Sequence, residues 1–524
     1  MIDRAVAARD AEPGVPWRRW AVILAVPATV LGVVIYPAPN LSPMPLAPAL
    51  GLLCVAGMLI ALSGRLRLMI LLPVVAAYIP SLQVGFAAIL LTLALFVAAY
   101  GGQRLVRPLD HVDRLLLAVL VWAAGAWVVN LGIETDLWSL PMLLITFFAP
   151  WLLLFVARAV PWTGRDLQVI LGAWLALALA QLGPALLKPV ALGVPEAYGN
   201  PLILLQIGRL PLLRVLVGEF SADMITGTTH SAHHLGVLLL LASTLLLMLA
   251  LAAGRRGVTL LLLVTLFGFL MTDSKHVVLA SVIPGAVLVR KAIWPAMGTR
   301  TRGLLKLAAL ALLLILGLPI IVRALDPAVR NEWKSYIALS TINPKTQLIL
   351  RTGRVLGEND LQTWLGHGPG SFATRAATIR ATDVLFKDTD RLPGFIPPHT
   401  GRTYRSVAFD LYTFAIADQV RYRSGALTNP FSSLIGIIGE FGLVGSLLVF
   451  ALVLAVAREG YRLWRTSEAG VGVRAAGATL GFAMPLFIVL GIFDSYFEQP
   501  DLMGALAVLA LVVLAARDAR RAPA

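Results

Sequence analysis

The chain has 524 residues, of which 58% are hydrophobic and only 14% charged, with a formal net charge of +15 and a mean hydropathy of +0.83. Such values lie far from those of a soluble domain and point to a polytopic membrane protein. The single cysteine, Cys54, excludes an intrachain disulfide and a cysteine metal cluster.

The alternation of barrel strands is absent, and a backbone in lipid must satisfy its own hydrogen bonds, so the apolar runs are expected to be helices. Runs able to cross ~30 Å of hydrocarbon fall near 20–36, 44–63, 68–82, 84–100, 115–131, 139–157 and 167–185. They continue near 233–253, 258–272, 276–290, 305–323, 431–456, 477–494 and 501–516, about fourteen crossings in all. The first run has no small-residue cleavage site behind it and reads as a retained helix. The expected organisation is a tail (1–19), N-terminal crossings (20–185), a long loop (186–232), central crossings (233–323), a larger loop (324–430), C-terminal crossings (431–516) and a tail (517–524).

Charge orients this scheme. One set of connections carries Arg18 and Arg19, Arg65 and Arg67, Arg104 and Arg107, Arg158 and Arg165, Arg255 and Arg256, Arg290 and Lys291, then Arg458 to Arg465 and Arg517 to Arg521. The short alternate connections hold no Lys or Arg: 37–43 is neutral, 132–138 has Glu134 and Asp136, and 495–500 has Glu498. The positive-inside rule places both termini in the cytoplasm and the two long loops outside. Much of the net charge is this topological signal. It does not point to nucleic acid, whose binders gather charge on one folded face.

The 324–430 loop holds thirteen basic against nine acidic residues. A solvated, mixed-charge surface is one reading; a site for anionic ligands is the other. The 186–232 loop ends in Thr228-Thr229-His230-Ser231-Ala232-His233-His234, a polar start to the next helix. Three further patterns carry chemistry. Thr272-Asp273-Ser274-Lys275-His276 sets charge between two apolar runs, where it usually faces a bundle interior or a water-filled cavity. A plain turn, with Asp273 as a cap and Lys275 snorkelling, is the alternative. Arg351-Thr352-Gly353-Arg354 precedes a short expected helix and the turn Gly366-His367-Gly368-Pro369-Gly370-Ser371-Phe372, whose glycines allow close backbone approach and can turn N–H groups on an anion. No Gly-Lys-Ser/Thr follows, so this is not a P-loop. Finally, Glu440 lies about two turns into the re-entering helix, with Gly436, Gly439, Gly442 and Gly445 at every third position, a spacing that suits close helix packing.

Taken in order, these patterns resemble the O-antigen ligase and O-antigen polymerase superfamily of bacterial multi-spanning glycosyltransferases, over roughly residues 220–450. The matches are Thr272, Ser274 and Lys275 for the polar turn, Arg351 or Arg354 before Gly366, Gly368, Gly370 and Phe372, and Glu440, Gly442 and Gly445 in the re-entering helix. Two positions depart from the family. Lys275 stands where Arg is usual and cannot make a bidentate fork; Phe431-Ser432 replaces the common His-Asn pair, which tilts the reading toward a polymerase.

The resemblance implies an all-α membrane protein of the glycosyltransferase C class in a bacterial inner membrane, with a large periplasmic loop domain. It implies an inverting, metal-independent transfer without cofactor, from a polyprenyl-pyrophosphate-linked glycan to a growing glycan or a lipid acceptor. Membrane lipids and polysaccharide assembly proteins would be its partners. Lys275, Arg351 and Arg354 would clamp the departing pyrophosphate. Glu440, His399 or one of His230, His233 and His234 would orient or deprotonate the acceptor. His276, His367, Gly368, Gly370 and Arg402 complete the expected substrate contacts. The rival readings are a polysaccharide-lipid transporter, against which the lack of two similar halves speaks, and a non-catalytic assembly scaffold.

Overall fold

The computed structural model describes residues 66–76, 82–106, 108–183, 185, 231–253, 256–272, 274–296, 344–381, 397–412, 432–466 and 469–521. Among them every regular element is helical. After a 3-10 turn at Leu66–Leu71 come α1 (Leu72–Ala76), α2 (Leu82–Val106), α3 (His111–Val129), α4 (Ser139–Ala157) and α5 (Gly164–Ala180). Next are α6 (Ala232–Ala253), α7 (Arg256–Met271) and α8 (Lys275–Leu288), the last continued by a π turn at Val289–Ile293. The large loop contributes α9 (Pro344–Glu358), α10 (Asp360–Leu365), α11 (Arg375–Arg380) and α12 (Arg402–Tyr404). The chain returns through α13 (Ser433–Arg465), α14 (Val471–Phe493) and α15 (Pro500–Arg521).

Eight described helices are long and apolar enough to cross a membrane: Val84–Gln103, His111–Val129, Ser139–Ala157, Ala232–Ala253, His276–Ile293, Ser433–Arg465, Val471–Phe493 and Pro500–Arg520. The runs near 68–82 and 258–272 become the shorter apolar helices Arg67–Ala76 and Gly257–Phe269, and the run near 167–185 becomes the 17-residue α5. The expected crossings at 20–36, 44–63 and 305–323, and the loop 186–230, lie outside the described residues.

The centre of the bundle is α15. Its sequence is apolar on every side between Leu502 and Ala516, so no face demands solvent. Of its apolar window 89% is buried, against 33% for α3 at the rim. Helices α1, α2, α4, α5 and α14 pack around it. The closest pair is α13 with α14, where Gly460 and Gly477 meet backbone to backbone, the small-residue contact that holds helices together in lipid.

The two ends of the bundle differ in kind. At one end α3 starts, α4 and α15 finish, and α13 nears its finish. Asp110 caps α3 through a reciprocal box with Asp113. Arg158 then reaches Asp113 at 2.6 Å, Asp110 at 2.7 Å and Asp518 at 2.8 Å. Arg517 binds Asp110, Asp518 at 2.7 Å and Glu459 at 3.4 Å. Burial alone would raise the Asp110 carboxyl, but the Arg158 and Arg517 guanidiniums hold it well below the usual carboxylate range. We call this the network end. The opposite end, where α6, α8, α13 and α15 start, carries the folded parts of the large loop and is called the loop end.

Candidate functional site

The loop end is built on a break in α13. Gly442 has φ +63° and ψ −170°, non-helical values inside an otherwise continuous helix, and only glycine adopts them at low cost. The break frees carbonyls that the next turn would have used. His367 N–H takes that of Gly439 at 2.9 Å, Gly368 N–H takes that of Glu440 at 3.0 Å, and Trp122 Nε1 takes that of Phe441 at 2.8 Å. The Gly366–Gly370 turn thus docks on the helix backbone itself. Gly366, Gly368 and Gly370 all have positive φ. A Cβ on Gly442 would run into the Trp364 carbonyl, and one on Gly366 into the Glu440 carbonyl.

Glu440 locks this arrangement. Its side chain is fully buried and accepts the N–H of Gly370 at 2.8 Å, the N–H of Phe372 at 3.3 Å and the Thr374 hydroxyl. The neighbouring glycines accommodate the same segment: Gly436 faces Thr374 and Gly439 faces the Phe372 ring, while Gly445 packs on Trp122 of α3. The three-residue spacing therefore serves the loop as well as a helix neighbour. Gly368 and Gly370 hold backbone to helix here. Ser432 caps α13 and donates to the Gly491 carbonyl at 2.8 Å.

A second layer ties the loop to the α3–α4 connection. Arg380, fully buried, grips Asp136 with both terminal nitrogens and donates to the Pro397 carbonyl at 2.8 Å. Burial would raise the Asp136 carboxyl, yet Arg380 brings it down to about 2. His399 Nε2 lies 3.0 Å from the Glu134 carbonyl oxygen. The Glu134 carboxylate accepts the N–H and the hydroxyl of Thr403, both at 2.9 Å. The Thr403 oxygen is 3.1 Å from His367 Nδ1. Since its proton goes to the carboxylate, Thr403 accepts from His367, which fixes the Nδ1–H tautomer and leaves Nε2 as a lone pair. That nitrogen is buried without a hydrogen-bond partner, and burial takes the imidazole down to about 4.

The third layer gathers three of the histidines singled out from sequence. His233 and His276 stand edge to face with ring centres 4.2 Å apart. His276 Nε2 is 2.6 Å from the Tyr496 hydroxyl, His234 Nδ1 is 2.8 Å from Asp501 Oδ2, and His233 Nδ1 is 3.4 Å from Ser274 Oγ. Lys345, from the first turn of α9, donates to the Ile492 carbonyl at 3.2 Å and to that of Phe493. These are orphan carbonyls at the C-terminus of α14, the negative end of its dipole. Lys345 is within electrostatic reach of His276. Burial brings its ammonium down to about 8, and Asp494 opposes the shift. Close by, Glu498 accepts the Arg375 N–H at 2.8 Å through one oxygen, while the other is buried without a partner. Burial pushes this carboxyl up to about 8 against the charge of Arg375.

The remaining expected site residues fall elsewhere. Arg351 is bound bidentately by Asp410 at 2.6 and 3.0 Å and faces the surface of the loop layer. Arg354 and Arg402 are exposed. Lys275 opens α8, but its side chain, together with His230 and Asp273, lies outside the described residues. Lys345, Tyr496, Asp501 and Glu498 were not singled out from sequence. Glu498 was noted only for its charge, and Lys345 was one loop cation among thirteen. The chain matches no family model and no curated protein.

Proposed function

We propose that the protein is a membrane glycosyltransferase of the O-antigen polymerase type, acting at the loop end on a polyprenyl-pyrophosphate-linked oligosaccharide. The observation that carries this reading is the meeting of Lys345, His233, His234 and His276 with Tyr496 at the mouths of four membrane helices. A buried ammonium beside three imidazoles at that depth suits a substrate whose charged headgroup lies at the bilayer surface. In the transfer, the bond between the anomeric carbon and the pyrophosphate oxygen breaks, and its electron pair leaves with the pyrophosphate. The acceptor hydroxyl attacks the opposite face and gives its proton to an imidazole, inverting the centre.

Lys345, with Lys275 at the start of the His276 helix, stabilises the departing charge. His276 takes the proton, and Tyr496 orients it. Arg351 joins the clamp by exchanging Asp410 for phosphate, a ligand it forks equally well. The loop end faces the periplasm, the network end the cytoplasm, and the bundle has about fourteen crossings in a bacterial inner membrane.

The test is purified protein in lipid with a polyprenyl-pyrophosphate oligosaccharide and products resolved by size. A ladder of lengthening glycans, reduced by about 100-fold or more in Lys345→Ala and His276→Ala, is the expected result. Transfer of the intact glycan to a separate acceptor would make the protein a ligase. Passage of unaltered substrate across the bilayer would make it a transporter and overturn the proposal.

A further inference from the structure

The large loop carries an apolar face that is exposed among the described residues. On α10, Leu361 is 60% and Trp364 is 56% exposed, although this segment sits in a polar loop. Asn359 caps the helix, accepting the Leu361 and Gln362 N–H groups. Glu358, Asn359 and Asp360 are exposed at its start. From there the chain runs toward Gly366, and the Trp364 carbonyl comes against Gly442 of α13. The next residues of α13 that face outward are Leu443 and Leu447, 39% and 66% exposed. The bare face of α10 therefore lies beside, and uncovered by, a helix whose own outer surface is apolar.

Depth can be read from the opposite end. Charges at the network end, where His111 approaches Glu459 at 3.4 Å, mark one boundary of the apolar slab. From Glu459 the helix rises about 25 Å to Gly442, and from His111 α3 rises about 17 Å to Trp122, which bonds Phe441. Both paths end inside a hydrocarbon layer of ~30 Å. Residues of α3 beyond that level still show bare apolar side chains, Val128 at 61% among them, so the layer continues past it.

We infer that α10 and the Gly366–Gly370 turn form a re-entrant element, with Leu361 and Trp364 inserted among the acyl chains of the bilayer and Glu358 to Asp360 at headgroup level. Non-helical backbone is tolerated at such depth only where protein covers it. Here the turn is covered: its N–H groups are taken by Gly439, Glu440 and the Glu440 carboxylate, and the Gly366 carbonyl by Asn130 at 3.2 Å. A Trp ring at the edge of the hydrocarbon is a favoured anchor. The inference stands apart from the catalytic proposal.

Nitroxide labels test it, on a Cys54→Ser background in lipid nanodiscs. They are placed by Leu361→Cys and Trp364→Cys, with Val121→Cys on the outer face of α3 as the lipid reference and Arg354→Cys as the water reference. Collision with oxygen is compared with collision with a water-soluble nickel chelate. The expected result is an oxygen-to-nickel ratio at positions 361 and 364 several-fold above that at 354 and approaching that at 121. Ratios at both positions equal to that at 354 would overturn the inference. Leu361→Cys leaves the Trp364 packing untouched, so a folding defect in the other variant does not remove the test.

Discussion

The two ends of the bundle treat buried charge in opposite ways. At the network end, Arg158 answers three carboxylates and Arg517 answers three, two of them shared. At the loop end some buried charges are as well answered, Glu440 and Arg380 among them, but His367 Nε2 and Glu498 Oε2 are buried without a hydrogen-bond partner. An unsatisfied buried polar group costs about 1–3 kcal/mol. The network end thus concentrates its charge in one multiply bridged cluster, whereas the loop end mixes answered groups with unanswered ones, and under the proposed function the unanswered ones are the part left for substrate.

The largest effect expected from this contrast is at Arg158. Arg158→Ala would leave Asp113 buried and Asp110 and Asp518 short of their main cation, a loss of about 3–5 kcal/mol. Yield and detergent melting should fall sharply. His276→Ala, at the other end, should accumulate normally and lose transfer instead. Equal stability loss in both would erase the distinction between cluster and site.

Next in size is a pair of opposed pH dependences at the loop end. His367 is held at about 4 when folded, against roughly 6.5 unfolded. The unfolded chain therefore binds the proton first as pH falls, and stability is lost from about pH 6.5 down to 4. Glu498 is raised to about 8, against an ordinary value near 4.5, so its contribution is lost as pH rises through that interval. Each is worth on the order of a few kcal/mol. In His367→Asn, melting temperature should decline steadily from pH 4.5 to 8. In Glu498→Gln it should climb to about pH 6.5 and then level off. Parallel profiles for the two variants would show that these groups are not the ones titrating.

Glu440→Gln comes third. Its amide would turn an N–H₂ toward Gly370 or toward Phe372 and Thr374, replacing acceptor by donor at one or more bonds, for about 1–3 kcal/mol. Loosened docking should show as faster proteolysis within 360–381, and unchanged cleavage would sink the lock. This carboxylate was legible in the sequence as a buried acid in a membrane helix, because its apolar surroundings are local. What it binds was not, since Gly370 and Thr374 lie some seventy residues away and no periodicity links them. The same holds for Lys345 and His276. The helices at 139–157 and 233–253 could be read almost to the residue, because apolar length alone defines a crossing. The break at Gly442 was hidden among four evenly spaced glycines, each of which alone looked like a packing surface.

The smallest expected stability effect is at Arg351, and it is the most useful for separating structure from chemistry. The pair with Asp410 is well formed, but the aspartate side chain is 59% exposed, and exposed pairs contribute about 1 kcal/mol or less. Burial slightly opposes and the Arg351 guanidinium enforces a carboxyl below its ordinary range at Asp410. Arg351→Ala and Asp410→Ala should therefore both accumulate and melt close to the parent. Their consequences for transfer should differ in sign. If Arg351 is a phosphate fork as proposed, its removal takes that fork away, whereas removing Asp410 frees it from its competitor. Under the clamp reading, substrate KM rises in Arg351→Ala and falls or holds in Asp410→Ala. A matching loss in both would mean that the ion pair itself, as a brace between α9 and the end of the π turn Arg405–Phe409, is what transfer requires.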